Sequence, residues 1–590
     1  MSLLSSAQTE SLLRFENGQS QPVEAFGTAD SWLKEQLWVE STFDSDGDGK
    51  PDRIHIYLTR PAITDSLPLR LPVILSASPY YGLSIWALLG FTDDRLNWKV
   101  KHELGATPRK KRPHPRRKTR TKYPLFASSM DQTWIPRGYV MVYASSPGTG
   151  LSDGAPTVGG ENESLGPKAV IDWLCGRAKA YDKRVGGTEV KAFWSSGKVG
   201  MTGTSYDGTL CIAAATTGVA GLEAIIPVAP VTSFYHYYRS NGLVRSPGGY
   251  LGEDMDVLYD LINTGDKKKR KRNNAEVRDG LLAKAQDRKT GDFNAFWASR
   301  DYVSKIGSMK CAMLMAHGFN DWNVMPEHSF RFYEAAKEKG LPVQLFYHQS
   351  GHGGDPPMEM MNRWFTRYLH GIENGVENDP PVRIVREGEK KPTAYTAYPD
   401  PAAQAVTFYL YADAGLRITP PVAPSSPLSF TDHARKDYLT LLEDKNAKHR
   451  LLFTTEPLDH DLRISGTTTV KLRLASSKPA ANLSVYLVAL PITEGKDVPI
   501  YDHLITRGWA DPQNHQSLTN GTPLQAGEYY TLSFSLNPDD QVIPKGKRLG
   551  LLVFSSDKEF TIQPKPGTVL TVDLNASSIT IPVVGGYPLR

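Results

Sequence analysis

Short apolar runs that end in turn residues recur along the first 350 residues of the chain. They lie at 71–80, 139–145, 199–203, 224–228, 311–317 and 342–348. Stretches with helical periodicity, such as 168–173 and 326–339, fall between several of them. Buried strands that alternate with helices are typical of a largely parallel sheet covered on both faces. The pattern predicts an α/β fold for this part of the chain.

An antiparallel hairpin is predicted ahead of this series. Residues 33–43 and 53–61 read as strands, and an Asp-Gly-rich turn at 44–52 joins them. Asp44, Asp46 and Asp48 repeat the opening of an EF-hand loop, but His55 stands where a bidentate Glu is expected at position twelve. A plain turn is therefore favoured, and no metal or cofactor is expected.

The series of strands is interrupted by a long segment at 234–298, which is rich in Tyr, Trp, Gly and charge. It is helical only in places, at 254–262 and 277–286, and fits a cap inserted over the carboxyl edge of the sheet. Beyond a polar linker at 373–381, short alternating strands separated by Gly, Pro, Asn and Asp replace helical periodicity. They predict an all-β sandwich, specifically a jelly roll.

Composition adds that the chain is globular. Of its 590 residues, 40% are hydrophobic and 22% are charged, which is ordinary usage. No apolar run approaches the ~18 residues of a membrane span, and the start has no secretory pattern. Three widely spaced cysteines suit a reducing compartment. A cytoplasmic protein without membrane partners is expected.

The net charge of +5 is unevenly distributed. The runs 109–122 and 267–272 hold nine and six Lys/Arg, so subtracting these fifteen charges leaves −10 for the remainder. Blocks of like charge are usually solvated loops and less often nucleic-acid patches. Neither run has interleaved aromatic residues or belongs to a recognised nucleic-acid-binding module, so no nucleic-acid partner is expected.

A candidate nucleophile lies in Gly203-Thr-Ser-Tyr-Asp-Gly208. The motif departs from G-x-S-x-G because Asp207 takes the place of the second glycine, but a β-rich run precedes it and a helical run of small residues follows. A nucleophile elbow requires this strand-to-helix context. Gly150-Leu-Ser-Asp-Gly154 matches G-x-S-x-G in full, yet no helix follows it. Ser205 is therefore preferred to Ser152.

Two further side chains complete a Ser, acid, His order along the chain. Asp321 comes four residues beyond the predicted strand at 311–317, and His352 comes four residues beyond the strand at 342–348. Asp321 also suits a plain turn. His348, at the strand end itself, is the rival histidine, but the glycines around His352 favour a loop that can approach Ser205.

These residues predict acyl transfer on an α/β-hydrolase fold with an inserted helical cap and a C-terminal jelly roll. His352 would take the Ser205 proton, Asp321 would fix the imidazole tautomer, and the backbone N–H of Tyr206 would stabilise the oxyanion. The predicted domains are 1–233 and 301–372 for the two parts of the hydrolase, 234–300 for the cap, and 373–590 for the linker and the sandwich.

Residues 197–260, together with 288–302 and the HGFNDWNV segment around Asp321, strongly resemble the bacterial Xaa-Pro dipeptidyl-peptidases. These belong to the α/β-hydrolase group that includes cocaine esterase and the α-amino-acid ester hydrolases. The elbow of that group typically reads G-x-S-Y-x-G, which Gly203, Ser205, Tyr206 and Gly208 match. The similarity covers most of 30–590.

The resemblance implies further site residues. Tyr80 would supply its hydroxyl as the second oxyanion donor, and Glu253 would hold the free α-amine of the substrate. Asp254 is the neighbouring rival for that role. The resemblance also places substrate-binding residues in the cap and in the loop of the acid; they are Phe234, Tyr237, Tyr238, Trp322 and Asn323.

The leading hypothesis is a serine exopeptidase acting on peptides with a penultimate proline. An esterase or acylase using the same triad is the alternative, and a carbohydrate-binding role for the β-domain is a weaker one. Longer members of the family carry an additional N-terminal helical domain linked with dimerisation, whereas only about thirty residues precede the first predicted strand here. A homodimer therefore stays an open expectation.

Overall fold

The computed structural model describes residues 12–82, 128–445, 448–493, 495, 497–564 and 566–587. The basic run at 109–122 lies outside these residues. Within the described residues, no helix combines the length and the apolar character that crossing a bilayer requires.

The first part of the chain contains sixteen strands in the described ranges. They are β1 Phe15–Glu16, β2 Gln19–Ser20, β3 Trp32–Glu40, β4 Arg53–Pro61, β5 Leu71–Ser78, β6 Val140–Ser145, β7 Ala180–Tyr181, β8 Glu189–Val190, β9 Ser195–Thr204, β10 Leu222–Val228, β11 Arg239–Ser240, β12 Leu243–Val244, β13 Ala312–Gly318, β14 Val343–His348, β15 Val382–Val385 and β16 Pro392–Tyr395. Twelve of them form one sheet in the order β16-β15-β14-β13-β10-β9-β5-β6-β4-β3-β7-β8.

The helices of the described residues are mostly short. The α-helices are α1 Ile63–Ser66, α2 Ser129–Trp134, α3 Glu161–Leu174, α4 Tyr206–Ala215, α5 Phe234–Tyr238, α6 Met255–Ile262, α7 Arg270–Asn273, α8 Ala283–Ala285, α9 Ala295–Ala298, α10 Glu327–Glu338, α11 Met358–Phe365 and α12 Tyr438–Glu443. Residues Asn274–Leu282 and Thr366–His370 are π-helical. Helices α5 to α9 all fall between β10 and β13, where the sequence predicts a cap.

The middle of the large sheet is parallel, from β15 through β14, β13, β10, β9 and β5 to β6. Its strands are buried on both faces because helices cover both. Val73 and Leu75 of β5 pack in the core with α3, α4 and α10, whereas Ile74 packs with α2 and α11 on the other face. This confirms the predicted α/β organisation, and it places the carboxyl ends of the parallel strands along one edge.

The predicted hairpin is confirmed by the antiparallel pairing of β3 with β4. In its turn, carboxylate oxygens of Asp44, Asp46 and Asp48 lie within 4.8 Å of one another. The ammonium of Lys269, from the second basic run, lies 2.5 Å from Asp46 and 2.8 Å from Asp48. Part of this basic run therefore pairs with the hairpin turn.

The C-terminal part is a β-sandwich. Its strands are β17 Ala403–Leu410, β18 Leu416–Arg417, β19 Leu428–Thr431, β20 Leu451–Thr454, β21 Leu462–Ser476, β22 Leu483–Leu490, β23 Leu504–Ala510, β24 Tyr529–Ile543, β25 Arg548–Phe554 and β26 Val569–Val584. One sheet contains β17-β26-β21-β24 and the other β20-β25-β22-β23. Counting these eight strands along the chain gives 1-8-3-6 facing 2-7-4-5, the strand order of a jelly roll.

The pairing of strands places the end of the first domain after the border predicted at residue 373. Strand β15 pairs in parallel with β14, and β16 pairs with β15. Residues 382–395, which the sequence analysis grouped with the sandwich, thus extend the sheet of the first domain. The strands that follow the polar segment 373–381 pair at the edge of β14, and short alternating strands have the same sequence pattern in either sheet.

Candidate active site

Ser205 lies on the turn between β9 and α4, with φ 64° and ψ −125°. A positive φ is unusual for a residue with a side chain and stores strain, which the packing of this turn must maintain. A Cβ at Gly203 would lie 2.6 Å from the Cβ of Asp207, and one at Gly208 would lie 2.8 Å from the carbonyl oxygen of Val228. Both glycines are therefore required by close approach of neighbouring atoms.

Ser152, the competing serine, is fully buried. Its hydroxyl donates to the carbonyl of Ser145 at 2.8 Å and accepts the backbone N–H of His55 at 2.9 Å. It follows β6 in a loop rather than at a helix N-terminus. This hydroxyl holds the loop against the hairpin and is not exposed to solvent.

Asp321 and His352 meet at the ends of the adjacent parallel strands β13 and β14. Nδ1 of His352 lies 2.7 Å from Oδ2 of Asp321. The other carboxylate oxygen accepts the backbone N–H groups of Asn323 and Val324, each at 3.0 Å. The acid is thus fixed in one orientation, with Oδ2 facing His352.

A second histidine, which the sequence analysis missed, lies behind the acid. Nε2 of His317 is 2.9 Å from the carbonyl of Val324 and 3.2 Å from Oδ2 of Asp321, and its Nδ1 is 2.6 Å from Oγ of Ser329. Burial alone would raise the pKa of Asp321, but the hydrogen bonds from His317 and His352 hold that pKa below its ordinary value. Asp321 is therefore ionised at neutral pH.

His348, the rival histidine, supports the loop that carries His352. Its Nε2 lies 2.9 Å from the carbonyl of Gly353, and its Nδ1 accepts the backbone N–H of Ser350 at 3.1 Å. A Cβ at Gly353 would lie 3.9 Å from Cγ2 of Thr204, so this loop runs beside the elbow. Within the described residues the structure gives no hydrogen bond between Ser205 and His352; such bonds are often long in enzymes without substrate.

The side chains of the two residues that carry the candidate oxyanion donors are in contact. The rings of Tyr80 and Tyr206 make an edge contact with centroids 6.0 Å apart. The Tyr206 hydroxyl donates to Glu163 at 2.5 Å, and Glu163 is itself held by the backbone N–H groups of Val158 and Gly159. Burial and nearby acids, Asp207 first, raise the pKa of Tyr80 well above its ordinary value. Its phenol therefore stays protonated and able to donate.

Glu253 and Asp254 have opposite surroundings. Asp254 caps α6 and forms ion pairs with Arg239 at 3.2 Å and Arg288 at 2.9 Å, so its charge is already balanced. Glu253 is 4% exposed and accepts the Tyr238 hydroxyl at 2.7 Å, and the described residues give it no cationic partner. Burial raises the pKa of Glu253 to about 8. A cation brought by a ligand would reverse that shift.

The remaining predicted pocket residues divide into two groups. Tyr237 stacks edge-on against Tyr238 at 4.7 Å, and its hydroxyl donates to Oδ1 of Asn323 at 3.2 Å, which links the cap to the loop of the acid. Phe234 has no exposed surface and packs on Tyr206 at 5.8 Å. The ring of Trp322 covers Arg507 of the β-sandwich. Phe234 and Trp322 thus also serve as packing residues.

Residues 46–354 match the X-Pro dipeptidyl-peptidase (S15) family model, and residues 374–588 match the model of the X-Pro dipeptidyl-peptidase C-terminal non-catalytic domain. The chain belongs to the S15 family. An S15 relative from Ligilactobacillus salivarius, named Xaa-Pro dipeptidyl-peptidase, is 32% identical over 649 residues, covering 96% of this chain and 79% of the relative.

A protein from Rhodopirellula baltica, provisionally given the same name, is 51% identical over 576 residues, which is 97% of this S15 chain and 91% of the relative. Among solved structures, an α-amino acid ester hydrolase superposes with a TM-score of 0.68 at 17% identity, covering 95% of this chain and 98% of that one. A CocE/NonD family hydrolase from Staphylococcus aureus gives 0.65 at 18% identity, with 93% and 94% covered. These structures support the predicted α/β-hydrolase fold.

Proposed function

We propose that this protein is a serine exopeptidase that releases Xaa-Pro dipeptides from peptide N-termini through an acyl-enzyme. The observation that carries the proposal is the buried carboxyl of Glu253, to which the described residues give a single hydrogen-bonding partner, the Tyr238 hydroxyl. A carboxylate buried without a cation is costly for a fold. A charged α-amine bound there would offset the cost. Its fixed distance from Ser205 would then determine how many residues from the N-terminus the chain is cleaved.

In the proposed reaction the Ser205 hydroxyl attacks the carbonyl of the proline residue while His352 accepts its proton. Asp321 holds the imidazole through the 2.7 Å contact to Nδ1, which leaves Nε2 for the serine. The backbone N–H of Tyr206 and the hydroxyl of Tyr80 stabilise the oxyanion. His352 then protonates the leaving amine, and a water activated by the same imidazole hydrolyses the ester.

The preference for proline has a physical reason. Proline lacks an N–H and has a fixed φ, so an aromatic wall selects the ring by apolar contact rather than by hydrogen bonding. Tyr237, which joins the cap to Asn323, is the residue we propose for that wall. The three cysteines are unpaired thiols, which suits the cytoplasmic location that we propose.

Three chromogenic substrates test the proposal: Ala-Pro anilide, Ala-Ala anilide and N-acetyl-Ala-Pro anilide. We expect rapid release only from the first, because the second lacks the ring and the third lacks the charged amine. Comparable cleavage of the acetylated compound would instead support the esterase or acylase alternative, which needs the triad but not Glu253.

A further inference from the structure

The β-sandwich places one buried arginine directly behind the loop of the catalytic acid. Arg507 lies on β23 and is 2% exposed. Its guanidinium carbon is 3.9 Å from the ring centroid of Trp322, the residue after Asp321, and 4.2 Å from that of Phe560. The guanidinium of Arg507 thus contacts Phe560 of the β-sandwich and Trp322 of the candidate active site.

Arg507 has few polar partners for a buried charge. Its Nη1 donates to the Tyr486 hydroxyl at 3.0 Å. Within the described residues, Arg507 forms no ion pair with a carboxylate. Four aromatic ring centroids lie 3.9 to 5.7 Å from its guanidinium carbon, within the range of cation–π contacts. Burying a cation in this way is costly for folding alone, and an apolar side chain of similar length would fill the same space. This cost points to a task other than holding the sandwich together.

The same place joins the sandwich to the cap loop that leads to Glu253. The backbone N–H of Ser246 donates to the carbonyl of Phe560 at 2.7 Å, and that of Gly248 donates to the carbonyl of Trp322 at 2.8 Å. The Ser246 hydroxyl in turn accepts the N–H of Gly252, next to Glu253, at 2.8 Å. A Cβ at Gly248 would lie 2.4 Å from the Trp322 carbonyl oxygen, so the loops fit tightly.

We propose that Arg507 is a positioning residue for the active site, and that the β-sandwich acts through it on catalysis and on binding of the substrate amine. By fixing Trp322 against the cap loop, it holds the triad acid and the proposed amine-binding acid at a constant separation. The part of this inference that concerns the amine rests on the proposed function. The part that concerns the acid loop requires only the triad.

Arg507→Met in the full chain tests the proposal, since Met keeps the length and apolar contact but removes the planar cation. Active sites are titrated with an organophosphonate, so that kcat refers to competent enzyme. We expect kcat to fall about 10- to 100-fold on both Ala-Pro anilide and an uncharged nitrophenyl ester, because small displacements of a triad are costly. We expect KM to rise on Ala-Pro anilide only.

Arg473→Met is the matched control. Arg473 stacks on Tyr529 and pairs with Asp573, both within the sandwich, and its loss should leave kcat and KM unchanged. If Arg507→Met changes only the thermal unfolding temperature and leaves kcat and KM per titrated site at wild-type values, Arg507 is merely structural and the proposal is overturned.

Phe560→Leu removes one of the rings that contact Arg507 and keeps the arginine itself. This variant tests the proposal if Arg507→Met does not fold. We expect a smaller change in the same direction; unchanged kcat and KM in this variant would reject the proposal. If the wild type cleaves the ester but not Ala-Pro anilide, the proposed function fails. The effect of Arg507 on ester kcat is then still measured independently.

Discussion

Binding of a charged substrate amine at Glu253 should release a proton, and the structure gives the amount. With a pKa of about 8, the carboxyl is about nine-tenths protonated at pH 7. A peptide α-amine, with a pKa of roughly 7.7–8.0, is also about nine-tenths protonated. The free partners carry about 1.8 protons and the ion pair carries one, so association releases about 0.8 proton per site.

Calorimetric titration measures this release. Ser205→Ala enzyme is titrated with Ala-Pro-Ala at pH 7 in two buffers that differ in ionisation enthalpy, and the difference in heat gives the number of protons. The double variant Ser205→Ala/Glu253→Gln should release almost none. It should also bind the peptide roughly 30-fold or more weakly, because truncating one partner of a buried charge pair costs about 2–5 kcal/mol.

The pH dependence follows from the same numbers. Below pH 8 protons compete with the ligand for Glu253, and above pH 8 the amine loses its charge, so affinity should be greatest near pH 8. N-acetyl-Ala-Pro-Ala is the control and should show no such optimum. The reasoning would be refuted if Ser205→Ala enzyme released no proton, or if the single and double variants released the same number of protons.

Four further outcomes are expected. Ser205→Ala should lower kcat by about 10⁴-fold or more and abolish phosphonate labelling, with the fold retained. Tyr80→Phe should lower kcat about 10²- to 10³-fold with little change in KM, because it removes one oxyanion donor. His317→Phe should move the acidic limb of kcat/KM for an uncharged nitrophenyl ester to higher pH by roughly 0.5–1 unit, because the negative charge of Asp321 is then shared with fewer hydrogen-bond donors. Dialysis against a chelator should leave kcat and thermal stability unchanged, because Lys269 already forms ion pairs with Asp46 and Asp48 in the hairpin turn.

Each of these has a result that would contradict it. Labelling that survives Ser205→Ala would move the nucleophile elsewhere. Tyr81→Phe is the neighbour control for Tyr80, since the Tyr81 hydroxyl is 2.9 Å from Oγ of Ser76 on β5; an equal effect of both changes would remove the oxyanion role. His317→Gln retains a donor and should behave as wild type in the pH profile measurement. Activity lost on chelation would indicate a metal in the turn.

The parallel strands and the elbow of the first domain could be predicted because each carries a local signal. Apolar runs mark the parallel strands, and the elbow is marked by glycines whose Cβ atoms would collide with neighbours. The contact between Asp321 and His352 could also be predicted, because both residues follow parallel strands that end at the same edge of the sheet. In the sandwich, the local signal of β23 is weak because Arg507 and Gly508 interrupt its apolar pattern.

The contacts behind the active site carry no such local signal. His317 reads as an ordinary strand-end residue, and only the fold brings its ring against Asp321. Glu163 lies within α3, yet its partner is the side chain that follows the nucleophile. The stacking of Trp322 on Arg507 joins residues far apart in sequence. Such pairings are set by tertiary packing, which neither periodicity nor motif spacing encodes.

The last two strands of the catalytic sheet, β15 and β16, are encoded within the region that matches the C-terminal domain. Exchanging that whole region between relatives, by recombination or by design, would replace the border of the recipient's sheet as well. An N-terminal fragment cut at residue 373 would keep every residue of the proposed triad but expose β14 as a bare edge, open to self-association. A boundary that keeps both sheets intact lies between Tyr395, where β16 ends, and Ala403, where β17 begins.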